Sequence, residues 1–276
     1  MLWDELLYGG SAPYYARGRL PYPTELAETI RAELELDGTG RLLDVGSGPG
    51  SLALLLAPLF AEAVGIDADA GMVAEAEREA RRRGVRNATW LHLRAEELPA
   101  GLGTFRVAAF AQSFHWMNRE RVAAAVYEML EPGGALVHVH ATTHRGVPGD
   151  DELPHPRPPR DEMAKLVERY LGPVRRAGRG SLPHGTPSGE DEIVRTAGFR
   201  DERLLDVGGG RVFERSEDEV VASVFSLSSA APHLFGDRLG AFEAELRALL
   251  RETSPEGRFS ERAREIALEL WTKPSR

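Results

Sequence analysis

The chain has 276 residues, of which 42% are hydrophobic and 28% are charged; because these fractions are close to the averages of globular proteins, we expect a packed core rather than a disordered chain. The 43 acidic and 34 basic residues give a net charge of −9, which argues against nucleic-acid and anionic-membrane partners, since both need a basic face. There is no cysteine, which excludes disulfides, thiolate zinc sites, iron–sulfur clusters and cysteine nucleophiles.

Two features of the chain predict a soluble, cytoplasmic protein without a membrane partner. Asp4 and Glu5 stand where a secretory signal would carry basic residues ahead of a long apolar run. The most apolar stretch, residues 51–64, is interrupted by Pro58 and Glu62 and is too short to cross a bilayer.

Short apolar runs alternate with helical patterns from about residue 40 to residue 141. Strands are predicted at residues 41–46, 63–67, 89–94, 106–112 and 135–141. Helices are predicted at residues 51–60, 70–83 and 119–130. Strands of this length that alternate with helices of 10–15 residues are typical of βαβ units, so we expect a mainly parallel sheet with helices on both faces.

The pattern changes after the fifth predicted strand. Residues 142–160 contain five prolines among acids and glycines, which predicts an irregular loop before a helix at residues 161–171. A second loose stretch, residues 178–189, precedes a helix at residues 190–197. Because both loops follow the carboxyl end of a strand, where open α/β sheets bind ligands, we interpret residues 142–190 as a lid.

The remaining segment returns to strands and helices. Strands are predicted at residues 202–207 and 211–214, and helices at residues 217–225 and 238–253. Residues 265–273 alternate between apolar and polar side chains, which predicts a strand, although the composition also suits a helix.

The strongest chemical signal is a glycine-rich turn, LLDVGSGPG, at residues 42–50. Alternate glycines after a buried strand let the backbone approach a ligand, and the following helix offers unpaired N–H groups. The spacing differs from the G-x-G-x-x-G pattern that seats a pyrophosphate. Asp44, two residues before the first glycine, would repel a pyrophosphate and suits a ligand with a positive charge.

Further residues describe a pocket for an adenosine that is joined to something other than a pyrophosphate. Asp67 ends the second strand, where a carboxylate accepts hydrogen bonds from both ribose hydroxyls. Met72 is placed to cover a purine face, and Ala95 with Glu96 is placed to contact an adenine edge. A helix cap at Asp67 and a solvated surface acid at Glu96 are the alternative interpretations.

Four segments, LLDVGSGPG, GIDAD, LRAEELP and AFAQSFHWMNRERVAAAVYEMLEPGGALV, resemble the successive motifs of class I S-adenosylmethionine-dependent methyltransferases. The resemblance covers about residues 12–141, and residues 12–23 (APYYARGRLPYP) suit the ubiquinone/menaquinone-type small-molecule subgroup. It implies an α/β fold: a Rossmann-like, doubly wound, mostly parallel seven-stranded sheet with a partly helical lid. We expect one compact unit, in which residues 1–141 form the N-terminal cap and cofactor-binding core. Residues 142–190 then form the substrate lid, and residues 191–276 complete the sheet and the cap.

The resemblance implies that S-adenosylmethionine is the cofactor and S-adenosylhomocysteine the product. Asp44 is expected to face the sulfonium, Asp67 to hold the ribose, and Gln112 with Ser113 to lie beside the methyl donor, while Arg19 pairs with the cofactor carboxylate. The implied cofactor-binding set is Tyr15, Arg19, Asp44, Gly46, Ser47, Gly48, Asp67, Ala68, Met72, Ala95, Glu96, Gln112 and Ser113.

The predicted function is methyl transfer to a small organic acceptor by in-line displacement at the sulfonium. Oxygen or carbon acceptors are favoured over nitrogen because the fourth strand ends in Gln-Ser-Phe-His, not in the Asn/Asp-Pro-Pro-Tyr of amine-methylating enzymes. His115 is the candidate catalytic base for an acceptor that must lose a proton; packing of the pocket wall is the alternative. The rival functions are S-adenosylmethionine binding without methyl transfer and NAD-dependent oxidoreduction.

Three histidines near the fifth strand, His138, His140 and His144, are candidate metal ligands. His138 and His140 share one face of the predicted strand, but the strand geometry places no acid beside them. The sequence therefore predicts no metal site, with His140 or His144 lining the acceptor pocket as an alternative. A small-molecule acceptor is the expected partner, and the oligomeric state stays open.

Overall fold

The structure, a computed structural model, describes residues 7–174, 176–177, 180–181 and 189–275. Its α-helices are α1 (Ala12–Gly18), α2 (Thr24–Glu33), α3 (Ser51–Leu56), α4 (Ala70–Arg83), α5 (Arg119–Met129), α6 (Arg160–Leu171), α7 (Glu190–Ala197), α8 (Glu217–Phe225) and α9 (Leu239–Thr253). Its strands are β1 (Arg41–Val45), β2 (Glu62–Asp67), β3 (Ala88–His92), β4 (Phe105–Ala111), β5 (Leu130–His140), β6 (Arg176–Ala177), β7 (Gly180–Ser181), β8 (Arg200–Gly208), β9 (Val212–Ser216), β10 (Arg258–Arg262) and β11 (Glu265–Thr272).

Seven strands form one sheet in the order β3-β2-β1-β4-β5-β11-β8. The strands β3, β2, β1, β4 and β5 run parallel to one another, and β11 is antiparallel to both β5 and β8. The chain crosses from β3 over β2 and β1 to β4, so the sheet is doubly wound and its strand order reverses beside β1. This confirms the predicted Rossmann-like, mostly parallel seven-stranded sheet.

Both faces of the sheet are covered because its strands are apolar on both sides. On one face Leu26 and Ile30 of α2 pack with Leu52 of α3 against the strands. On the other face Val122 of α5 and Val194 of α7 do the same. This packing fixes the carboxyl ends of β1, β2, β4 and β5 along one edge of the sheet.

A helical cap of α6, α8 and α9 surrounds a third apolar core at that edge, with Phe225, Phe235, Phe242 and Phe259 in its centre. The cap is held to the N-terminal segment where α1 crosses α8. At the crossing, a Cβ on Gly18 would lie 2.4 Å from the carbonyl carbon of Ala222. Only glycine permits so close an approach of two helix backbones.

A buried ion pair also secures the cap. Arg215 donates to Glu261 at 2.9 Å and to the carbonyl oxygens of Gly18 and Glu219 at 2.8 and 2.7 Å. Arg160 of α6 donates to the same carboxylate at 2.6 Å. These two arginines lower the pKa of the Glu261 carboxyl against the effect of its burial. The contacts of Arg215 and Arg160 join α1, α6, β9 and β10 around the Glu261 carboxylate.

The structure confirms some of the predicted elements and adds others. Residues 265–272 form a strand, so the helical alternative is wrong. The elements α1, α2 and β10 carry no pattern that predicts them, and β10 pairs with β9 in a separate two-stranded sheet. Residues 141–159 contain no helix or strand, as predicted, and most of the loose stretch at residues 178–189 lies outside the described residues. The structure shows no helix, among the residues it describes, that is long and apolar enough to span a membrane.

Candidate functional site

A cleft of about 620 Å³ opens at the carboxyl ends of β1, β2 and β4, beside the point where the strand order reverses. Ten of the thirteen residues predicted to bind the cofactor line it: Tyr15, Gly46, Gly48, Asp67, Ala68, Met72, Ala95, Glu96, Gln112 and Ser113. Arg19, Asp44 and Ser47 are not among its lining residues.

The glycine turn is held between the two strands that flank β1. The backbone N–H groups of Gly46 and Ser47 donate to the Ile66 carbonyl oxygen at 2.9 and 3.0 Å. A Cβ on Gly46, whose φ is +72°, would lie 2.5 Å from the Ser113 Cβ. A Cβ on Gly48 would meet nothing within 4 Å, so the second glycine leaves its backbone open to a ligand in the cleft.

Asp67 forms the polar floor of the cleft. One carboxylate oxygen accepts from the Gly48 N–H at 2.7 Å and the other from the Asp69 N–H at 2.8 Å. Burial raises the pKa of the Asp67 carboxyl to about 6. Each carboxylate oxygen has a further lone pair, so Asp67 retains acceptors for two hydroxyl groups. The alternative of Asp67 as a helix cap is wrong, because Asp69 accepts from Gly71 N–H and Met72 N–H at the start of α4.

Asp44 lies behind the cleft and is fully buried. One of its oxygens accepts from the Ala53 N–H at 3.2 Å, and the other has no hydrogen-bond partner among the described residues. Burial raises the pKa of the Asp44 carboxyl to about 7. The Ser47 hydroxyl, also buried, likewise has no partner in the described part of the chain. Two unpaired polar atoms behind the glycine turn fit a site whose ligand carries a polar or cationic group.

The opposite end of the cleft suits a flat apolar group. Met72 and Ala95 are buried there, and Leu93 adds apolar surface. Glu96 lines the same end, and its carboxylate accepts from the Asn118 N–H at 2.9 Å. Because its side chain is only 18% exposed, Glu96 does not behave as a solvated surface acid. An apolar slot with a polar rim fits the adenine of an adenosine ligand.

Aromatic residues cover the cleft on the side of α1. Tyr15 meets Tyr8 edge-on at 6.1 Å between ring centres, and Tyr8 meets Trp116 at 6.4 Å. Tyr8 and Trp116 line the cleft, but Tyr8 was missed because one aromatic residue outside any predicted element carries no pattern. Arg19 stacks on the Tyr15 ring at 4.4 Å and donates to the side-chain and backbone oxygens of Ser226, both at 2.9 Å.

Gln112 joins this cleft to a second, wider one of about 1,950 Å³. Its φ is +59°, an uncommon conformation for a residue with a side chain that costs roughly 1–3 kcal/mol and clusters at functional sites. His115 lies on the second cleft and not on the first, with its ring 4.7 Å from that of Trp116. The predicted cofactor residue Gln112 and the predicted base His115 therefore both line the second cleft, and Gln112 also lines the first.

The three weighed histidines separate into two environments. His138 and His140 line the second cleft together with Glu190, so the prediction that no acid lies beside them is wrong. Glu269 also faces His138, at 3.6 Å from its Nδ1. His144 is not among the residues that line either cleft. Burial and the nearby Arg19 and Arg160 guanidinium groups lower the pKa of its imidazole to about 3.

Comparisons with known proteins agree with this arrangement. Residues 42–134 match the family model described as a methyltransferase domain. The uncharacterized methyltransferase YcgJ of Bacillus subtilis is 34% identical over 100 residues, which are 36% of this chain and 40% of YcgJ. The probable S-adenosylmethionine-dependent methyltransferase CRG1 of Saccharomyces cerevisiae is 28% identical over 126 residues, 45% of this chain and 43% of that protein.

The chain thus spans less than half the length of these two relatives. A solved structure from Anaeromyxobacter dehalogenans, described as a candidate type II methyltransferase, has the same fold over 93% of this chain and 99% of its own, with 21% identity and a TM-score of 0.50. Residues 42–134, the part of the chain that is similar to a methyltransferase domain, contain the glycine turn and the carboxyl ends of β1, β2 and β4, which frame the cleft.

Proposed function

We propose that the chain transfers a methyl group from S-adenosylmethionine to a small organic acceptor and releases S-adenosylhomocysteine. The observation that carries this proposal is Asp67, a buried carboxylate at the end of β2 with a free lone pair on each oxygen. The apolar slot at Met72 lies on the same cleft and suits the adenine. The assignment to the ubiquinone/menaquinone-type subgroup within class I rests on the resemblance of residues 12–23 to that subgroup.

The chain's own residues divide the work of holding this cofactor. Asp67 accepts from the ribose hydroxyls, while the backbone of Gly48 is open to the amino-acid part. Asp44 balances a positive charge from behind the glycine turn. When bound, S-adenosylmethionine supplies an electrophilic methyl group for in-line displacement. The aromatic side chains of Tyr8, Tyr15 and Trp116 cover the cleft on the side of α1 and exclude water there.

The acceptor belongs in the second cleft, because this cleft adjoins the first at Gln112. Holding the acceptor in line with the methyl group supplies most of the rate in such a reaction. His115 on the same cleft is placed to take a proton from an oxygen or carbon acid. The end of β4 does not have the Asn/Asp-Pro-Pro-Tyr sequence of amine-methylating enzymes, so oxygen or carbon acceptors are preferred.

Calorimetric titration with S-adenosylmethionine, S-adenosylhomocysteine and NAD tests the cofactor assignment. We expect the two sulfur ligands to bind with micromolar affinity and NAD not to bind. Asp67→Ala should weaken binding by about 2–3 kcal/mol, the contribution of hydrogen bonds to a charged group. Asp69→Ala is the matched control, because this neighbouring acid caps α4 and does not line the cleft.

The possible outcomes separate the rival functions. Binding of NAD without binding of the sulfur ligands would refute the proposal in favour of an oxidoreductase. Equal losses of affinity in Asp67→Ala and Asp69→Ala would refute the role of Asp67. Tight binding with no S-adenosylhomocysteine released for any acceptor would instead assign a cofactor-binding protein that does not transfer methyl groups.

A further inference from the structure

Two histidines and two carboxylates converge on one face of the sheet, at the edge where its parallel strands end. His138 and His140 are two residues apart on β5, so their side chains share a face, with ring centres 4.0 Å apart. His138 pairs in register with Glu269 of β11, which brings that carboxylate to the same face. Glu190 approaches from the first turn of α7.

The contacts at His138 involve its two ring nitrogens separately. Its Nε2 lies 3.3 Å from a Glu190 carboxylate oxygen, and its Nδ1 lies 3.6 Å from a Glu269 oxygen. The His140 Nε2 lies 3.5 Å from the same Glu269 oxygen. All three distances exceed the 2.7–3.2 Å range of good N–H···O hydrogen bonds. The cluster is therefore not explained as a set of tight ion pairs.

The spacing suits ligands that share an ion. Two ligand atoms about 2.1 Å from one ion, at a tetrahedral angle, lie about 3.4 Å apart, close to the 3.3 Å between His138 Nε2 and the Glu190 oxygen. Potential ligand atoms of His138, His140 and Glu190 all lie within 4.8 Å of one another. Glu269, at the other nitrogen of His138, occupies the position of the carboxylate that orients a metal-bound histidine.

We propose that His138, His140 and Glu190 bind a divalent transition-metal ion in the second cleft. Two imidazoles and one carboxylate suit Zn²⁺, Fe²⁺ or Mn²⁺ and leave coordination positions open. The surrounding charge favours a cation, because carboxylate oxygens of Glu190 and Glu269 lie 3.3 and 3.6 Å from the two ring nitrogens of His138, and Glu269 also belongs to a neighbouring acidic group with Asp191 and Glu202. Two arginines line the second cleft, Arg262, which is paired with Asp151, and Arg264.

The position of the cluster suggests what the ion holds, and this part rests on the proposed function. The Gln112 N–H donates to the Val139 carbonyl oxygen at 3.3 Å, so the residue that joins the two clefts is bonded to the backbone between the two histidines. The open coordination positions then take an oxygen of the acceptor. A hydroxyl bound there has a lowered pKa and releases its proton to water or to His115. The acceptor class is a small molecule with a metal-binding hydroxyl.

The test is direct titration of the full chain, after dialysis against a chelator, with ZnCl₂ by calorimetry and with CoCl₂ by visible absorption. We expect one Zn²⁺ site. His140→Ala and Glu190→Gln should each weaken it by about 100-fold or more, and Glu269→Gln, which removes an orienting partner, by about 10–100-fold. The His140 side chain is 42% exposed, so its removal leaves the fold intact, and a thermal melt checks this.

His155→Ala is the matched control, because His155 faces Glu214 at 3.7 Å in a separate His–carboxylate pair. It should leave Zn²⁺ affinity and the Co²⁺ spectrum unchanged. Absence of Zn²⁺ and Co²⁺ binding below millimolar concentration would overturn the proposal, as would the same Co²⁺ spectrum in the wild type and in His140→Ala. Titration with S-adenosylmethionine with and without chelator is a separate measurement. If the protein binds Zn²⁺ but does not bind S-adenosylmethionine in either titration, the proposed function is refuted and the metal site is still supported.

Discussion

The raised pKa of Asp67 makes cofactor affinity depend on pH in a way that an ordinary surface acid would not produce. Ribose hydroxyls donate to the ionised carboxylate, so the protonated form binds weakly. With a pKa of about 6 in the free protein, the dissociation constant should be about tenfold larger at pH 5 than at pH 7, or about 1.4 kcal/mol. A carboxyl with the ordinary pKa of about 3.9 would change it by less than about 10% over the same range.

The assay is calorimetric titration between pH 5 and pH 8 with S-adenosylhomocysteine and, in parallel, with adenosine. Adenosine has the ribose without the amino-acid part, so a pH dependence shared by both ligands belongs to the ribose contact. Asp67→Asn should bind weakly at every pH and lose the dependence. Circular dichroism at each pH verifies that the protein stays folded. A wild-type dissociation constant that is the same at pH 5 and pH 7 would refute this reasoning.

Two further predictions concern the cap. Glu261→Gln leaves the buried Arg215 without its counter-charge and should lower the free energy of unfolding by about 3–5 kcal/mol, measured in urea; a loss below about 1 kcal/mol would contradict the role of the pair. Gly18→Ala forces a Cβ against the backbone at Ala222 and should destabilise the protein by about 1–3 kcal/mol and weaken cofactor binding through α1. Gly240→Ala, in α9 with nothing within 4 Å of the added Cβ, is the control and should not destabilise, so an equal loss in both variants would exclude the close helix crossing as the cause.

Much of the sheet could be predicted because its signals are local. The strands β1 to β5 are apolar runs bounded by turn residues, and α4 was predicted over its whole length. Asp69 caps its start, and Gly84, with a φ of +69°, ends it. In contrast, α1, α2 and β10 are stabilised by the cap and sheet they contact, and contacts between distant segments leave little periodic pattern in a sequence.

The two clefts also differ in whether local sequence signals or contacts between distant segments form them. Most residues of the first cleft belong to motifs at strand ends, which a single sequence shows. The cluster of His138, His140, Glu190 and Glu269 draws on β5, α7 and β11. Glu269 becomes a neighbour of His138 only because β11 pairs with β5, and Glu190 only because α7 packs on the sheet. Asp44 lies on β1 as predicted, but only the structure shows that its carboxylate is fully buried behind the glycine turn and does not line the cleft.

The position of β11 between β5 and β8 has a consequence for the order in which the two clefts can form. The strands β1, β2 and β4, whose ends frame the first cleft, all precede residue 112, so they are synthesised long before β11. Within the described residues β8 joins the sheet only through β11, so β5 presents an open edge until residues 265–272 are available. Glu269 arrives with that strand. Because Glu265 and Ala267 of β11 also line the second cleft, that cleft is completed only after the strands that frame the first cleft have been synthesised.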